Sequence, residues 1–147
     1  MSTSSNVTVQ QVVTNFQNAY YCKWDVDKYH EGLEAVQTIW NSGTSTAQAS
    51  FTAVESELSI SVAVDGDSYL ASMTNVDNPS GGGASGNMAL SGSLQDVINN
   101  TKSINYSNAS ILVVYFLDKN ESIIAVYAGG IVGALNPAQG KATGFWT

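Results

Sequence analysis

No arginine occurs among the 147 residues, and cysteine and histidine occur once each, as Cys22 and His30. The basic residues are five scattered lysines, and the net charge is −7. Nucleic-acid binding draws its affinity from clustered basic groups that displace phosphate counterions, so it is excluded. Bidentate arginine clamps on phosphate or carboxylate are excluded as well. A single cysteine rules out an intramolecular disulfide. No apolar run reaches the roughly 18 residues of a helical membrane span. Charged residues make up only 12% of the chain, about half the usual share, yet apolar residues keep 44%. A chain of this size and apolar content can bury a core, and disorder is excluded.

Little catalytic chemistry remains. His30 has Asp27, Glu31 and Glu34 near it in sequence. A lone histidine lacks the further ligands of a metal site, and a general base needs an orienting partner. It is expected to be solvated or packed on a helix. Cys22 would need His30 beside it to act as a nucleophile, and a buried, inert thiol is expected instead. Asp25–Asp27 and Asp65–Asp67 look like fragments of calcium loops but lack the remaining ligands and closing glutamate. Capping and a turn explain them better. Gly81–Gly83 lacks the lysine and hydroxyl of a phosphate-binding loop. No cofactor and no metal are expected.

The apolar pattern gives the fold class. Val9, Val12, Val13, Phe16 and Tyr20 share one helical face, and Asn6 or Thr8 can cap it. After a break at residues 24–27, Tyr29, Leu33, Val36 and Trp40 share another, so residues 1–45 read as a helical extension. From residue 46 the chain reads as a β-domain running to residue 147. Val54 to Val64 alternates as one uninterrupted half-buried strand, Asp65-Gly66 is a turn, and Ser68–Thr74 returns beside it. Pro79–Gly86 reads as a flexible loop or barrel corner, and Asn87–Gly92 as a short strand. Leu94–Asn100 reads as a short helix capped by Ser93. Thr101–Tyr106 is a strand. Ser107–Asp118 and Ser122–Gly130 form a long hairpin, with Gly129-Gly130 bending its second arm. Lys141–Trp146 is a last strand that buries Phe145 or Trp146. Seven or eight strands in this length suit a closed barrel or a sandwich.

Tyr20, Tyr21, Trp24 and Tyr29 crowd one short region. They are the candidate contacts for a membrane or a sugar, and the competing reading makes them the face by which the helices dock.

An ordered set of features resembles the virulence-associated protein (Vap) family, small secreted effectors of an intracellular actinobacterial pathogen. The set runs from Gly81–Gly86 through Leu94–Thr101 and Val113–Asp118 to the Gly-Gly bend and the ending Gly140–Trp146. The resemblance implies a mainly β fold, a compact eight-stranded antiparallel barrel with one short helix and no active site. It implies export, with the protein secreted or at the cell surface, and association of some members with anionic lipid membranes. Residues 1–5 show no basic and apolar leader, so a cytoplasmic location is the alternative.

Three function classes follow. The first is a non-enzymatic effector acting at host or target membranes or on a host protein. In it the negative charge holds the protein off anionic surfaces at neutral pH and is relieved by acid. The second is a ligand- or sugar-binding barrel, calycin-like or lectin-like, which needs an interior lined by small residues. The third is an isomerase or cyclase using a barrel cavity. A monomer is favoured.

Overall fold

The structure is a computed structural model, and it describes residues 7–147. Helices α1 (Val9–Tyr20) and α2 (Val26–Asn41) come first. Strands β1 (Ser45–Val54), β2 (Glu57–Val64), β3 (Asp67–Met73) and β4 (Gly82–Leu90) follow. Helix α3 (Leu94–Asn100) precedes β5 (Ser103–Asn108), β6 (Leu112–Leu117), β7 (Ile123–Val132) and β8 (Gln139–Trp146). The eight strands close an antiparallel barrel in the order β1-β2-β3-β8-β5-β6-β7-β4. Each half is a three-strand meander whose fourth strand returns beside the first, so the barrel is two Greek keys joined edge to edge. Closure leaves no strand edge open.

The helix starts follow local chemistry. Thr8 and Gln11 form a reciprocal capping box on α1, while Asn6, the other cap considered, lies outside the described residues. The Asp25 side chain accepts from the Lys28 amide at the start of α2, and Ser93 accepts from the Asp96 amide at the start of α3. Asp65 and Gly66 both adopt positive φ and connect β2 to β3 by a two-residue turn.

Three readings of the strands need correction. Val54 to Val64 is not one strand. The chain reverses at Glu55, which has φ of +54°, and β1 pairs back on β2 with Val54 opposite Glu57. Period-two alternation continues through so tight a hairpin, which hid the turn. The run Gly82–Gly86 is strand rather than loop. β4 crosses β7 so closely that a Cβ on Gly86 would overlap the Ala128 carbonyl oxygen. Glycine is therefore the residue that permits this pairing. Gly129 and Gly130 likewise lie inside β7, paired with Gly86 and Ser85. The arm Ser107–Asp118 also divides, because β5 ends at Asn108 and β6 begins at Leu112.

The barrel interior is filled by large side chains, among them Phe51, Leu58, Ile60, Tyr69, Tyr106, Phe116 and Tyr127, all buried. Val97 of α3 joins this core. Trp146 packs on it, 5.5 Å from the Tyr69 ring and 5.8 Å from Phe116, while Phe145 points outward.

A second core lies outside the barrel. Val113, Tyr115 and Leu117 of β6 and Val126 and Ala128 of β7 face away from the interior. They are buried beneath Val12, Phe16, Tyr20, Tyr29, Val36 and Trp40 of the two helices. β6 is therefore buried on both faces, which is why it reads as a continuous apolar run. The helices cover this side, and the outer face of β1, β2, β3 and β8 stays open.

Candidate functional site

The four aromatic candidates are brought together at the turn between α1 and α2. Tyr20 stacks on Trp24 at 4.2 Å, and Tyr20 meets Tyr115 of β6 edge-on at 5.6 Å. Phe16 lies 5.5 Å from Tyr29 and 5.6 Å from Trp24. Tyr20 and Tyr29 are buried in this cluster and seat the helices on the barrel. Burial pushes the Tyr20 hydroxyl up to about 12, against an opposing contribution from the Asn105 side chain. Trp24 is half-buried. Tyr21 is 67% exposed, and Val26, one turn further on, is 69% exposed. The cluster thus divides into a rigid base and an apolar tip.

A cleft of about 760 Å³ runs between α2 and the β6–β7 turn. Asp27, Glu31, Glu34 and Glu121 line it together with Trp24 and Lys28. The Lys28 ammonium sits 4.3 Å from the Trp24 ring centre and 2.6 Å from a Glu121 carboxylate oxygen. The other Glu121 oxygen lies 3.6 Å from the Lys141 ammonium. The hydrogen bond and charge of Lys28, then the charge of Lys141, hold the Glu121 carboxyl below the usual range. Glu121 adopts φ of +62° in a turn where Asp118 accepts from the Asn120 and Ser122 amides. This ion pair ties α2 to the barrel at the surface, where such pairs add little stability.

His30 is exposed and lies edge-on to Tyr29 at 5.5 Å. Cys22 is exposed rather than buried, because it occupies the turn after α1 at φ of +69°. Among the described residues, no group of three His, Cys, Asp or Glu side chains could hold a metal ion. No described helix is long and apolar enough to cross a membrane.

A buried polar junction was missed from the sequence. Asn15 of α1 is only 3% exposed. Its Nδ2 donates to the backbone oxygens of Ser107 at 3.1 Å and Ile111 at 3.3 Å, and its Oδ1 accepts from the Tyr115 hydroxyl at 2.7 Å. Burial pushes the Tyr115 hydroxyl well up, with Tyr20 adding to the rise. The available signal was a lone amide flanked by apolar positions on the buried face of a helix.

These features define a small closed antiparallel barrel with a helical layer on one side, a packed interior and its chemistry confined to its surface. The chain belongs to the Rhodococcus equi virulence-associated protein family, whose model matches residues 2–147. It is similar in structure to VapD from the intracellular pathogen Rhodococcus equi, with a TM-score of 0.62 and 19% identity, over 71% of this chain and 97% of that one. It is also similar to VapB of the same pathogen, with a TM-score of 0.59 and 17% identity, over 71% and 96% of the two chains. No curated protein matches the chain. The share matched by the two structures is close in size to the barrel alone.

Proposed function

We propose that this member of the family is a non-enzymatic, exported interaction protein that works from its surface, and that the α1–α2 turn is its contact with a target membrane. The observation that carries this reading is the pair of exposed apolar side chains, Tyr21 and Val26, held on a rigid aromatic base. A tyrosine beside aliphatic surface suits the boundary between water and acyl chains. Tyr20 and Tyr29 support the turn from below and would touch lipid only if the helices left the barrel. With twelve acidic residues against five lysines, the protein is repelled by anionic lipid at neutral pH, and acid lowers that repulsion. A ligand held inside the barrel, and an isomerase or cyclase built on such a cavity, find no room among Phe51, Tyr69, Tyr106, Phe116 and Tyr127.

Co-sedimentation with phosphatidic-acid-containing and with neutral vesicles, at pH 7.5 and pH 4.5, tests the proposal. Binding to anionic vesicles that strengthens in acid, and falls about tenfold in a Tyr21→Ser/Val26→Ser variant, is the expected result. Absence of binding under every condition refutes the membrane contact and directs attention to a host protein.

A further inference from the structure

The four strands left open by the helices carry a second feature on the outside of the barrel, a groove of about 440 Å³. Strand register lays its floor out as a grid. Ser50, Ser61, Leu70 and Phe145 stand side by side across β1, β2, β3 and β8. In the next row stand Thr52, Ser59, Ser72 and Thr143. Neighbours within a row are about 4.8 Å apart, and the rows are about 7 Å apart. The first row ends in an apolar pair, with Phe145 63% exposed. The second is hydroxyl throughout.

The hydroxyls of the grid are unspent. Elsewhere, the Ser42, Ser80 and Thr101 hydroxyls donate to backbone carbonyls. The six on the grid are engaged by no described residue. Each is both donor and acceptor and stands where a ligand can reach it. Among the described residues, Glu57 is the one ionisable residue lining the groove.

We propose that this groove binds a neutral carbohydrate, with the Phe145 ring as the platform for the C–H face of a sugar and the two rows pairing with its hydroxyls. The groove falls within the size range of small-ligand sites. A neutral glycan matches the lack of charge, and its hydroxyls are donor-acceptors like those of the grid. Pressed against an acyl chain, six hydroxyls would lose water without gaining partners, at a cost for each. Serine is depleted at protein interfaces, and one exposed phenylalanine beside one leucine does not make an apolar interface core. The site is separate from the α1–α2 turn and stands or falls independently of it.

The test uses the ¹⁵N-labelled full chain titrated with cellohexaose, laminarihexaose, maltohexaose and chitohexaose. The expected result is saturable amide shifts confined to β1, β2, β3 and β8 for at least one of the four. Phe145→Ser, at a largely exposed site where the change costs little stability, weakens binding at least about tenfold. Ser72→Glu, which puts a charge into the hydroxyl row, does the same, whereas Tyr21→Ser/Val26→Ser leaves sugar binding intact. The proposal is overturned if none of the four sugars shifts these amides, if the shifts map elsewhere, or if Phe145→Ser binds as tightly as the parent. Capture of phosphatidylcholine vesicles that Phe145→Ser abolishes, with no response to the sugars, also overturns it, since the face would then be a lipid contact.

Discussion

Asn15→Ala tests how the helical layer is held to the barrel. In the parent, the Asn15 amide links α1 to the backbone of Ser107 and Ile111 and to the Tyr115 hydroxyl. The Ile111 oxygen keeps a second donor, the Ala109 amide, so its loss is partial. The Tyr115 hydroxyl lies in a fully buried site and is stranded when Oδ1 is removed. An orphaned buried hydroxyl costs about 1–3 kcal/mol, and the small void left by the amide adds to this. The expected destabilisation is about 2–4 kcal/mol. Tyr115→Phe removes the stranded group, so the double variant should be about 1–2 kcal/mol more stable than the sum of the two single changes. Urea unfolding followed by tryptophan fluorescence measures both quantities, with Trp24 and Trp40 reporting on the helices and Trp146 on the barrel. A cost below about 0.5 kcal/mol for Asn15→Ala, or strict additivity in the double variant, would refute the idea that this amide fastens the layer.

Two more predictions follow from packing. Gly86→Ala drives a methyl into the Ala128 carbonyl oxygen, where backbone cannot yield, and should cost about 3 kcal/mol or more. Gly130→Ala, in the same strand pair but with nothing within 4 Å of the new methyl, should cost under about 1 kcal/mol, and thermal melts of the two compare them. Burial raises the hydroxyls of Tyr69, Tyr115 and Tyr127, and it raises those of Tyr20 and Tyr106 to about 12. The folded protein therefore retains protons that the unfolded chain releases. This stability is fully present below the unfolded value of about 10 and is lost as pH rises toward the folded values. Tyrosinate absorbance should show these five ionising together with cooperative unfolding between about pH 10 and 12, and gradual ionisation near pH 10 with circular dichroism unchanged would contradict the burial argument.

The helices were legible because Val9, Val12, Val13, Phe16 and Tyr20 repeat at the helical period and Thr8 supplies a cap. Strand β1 was not legible, for a physical reason. Its inward residues include Ala47 and Ala49. Alanine is a weak strand former, so these positions carry little strand signal. Small inward side chains suit an interior that Tyr69, Tyr106, Phe116 and Tyr127 fill from other strands, and those neighbours are distant in sequence. Glycine in β4 reads as loop for the same kind of reason, since a close approach of strands is a tertiary fact that one-dimensional propensity inverts. The aromatic cluster was legible as a cluster. Which of its members would be buried depended on Tyr115, which lies outside the local window.

The pattern of β6 carried more information than its fold class. A strand with one wet face alternates, as β2 does from Glu57 to Val64. β6 does not alternate at all, because all six of its residues are buried. An antiparallel barrel strand has one face inside by geometry, so a continuous apolar run requires a cover on the outside. The amphipathic segments at residues 7–40 were the available cover, and their docking on β6 and β7 follows from the two patterns taken together. The converse holds for β1, β2, β3 and β8. Their outward positions are mostly serine, threonine and glutamine, with the charged Glu57 and Lys141 and the paired Leu70 and Phe145 among them, which makes a largely wet face. With the interior packed and the other side covered, that wet face, the α1–α2 tip and the cleft between α2 and the β6–β7 turn are the surfaces open to solvent. A barrel with a packed interior can meet a partner only from outside, and the hydroxyl face and the apolar tip differ enough in chemistry that they would suit different partners.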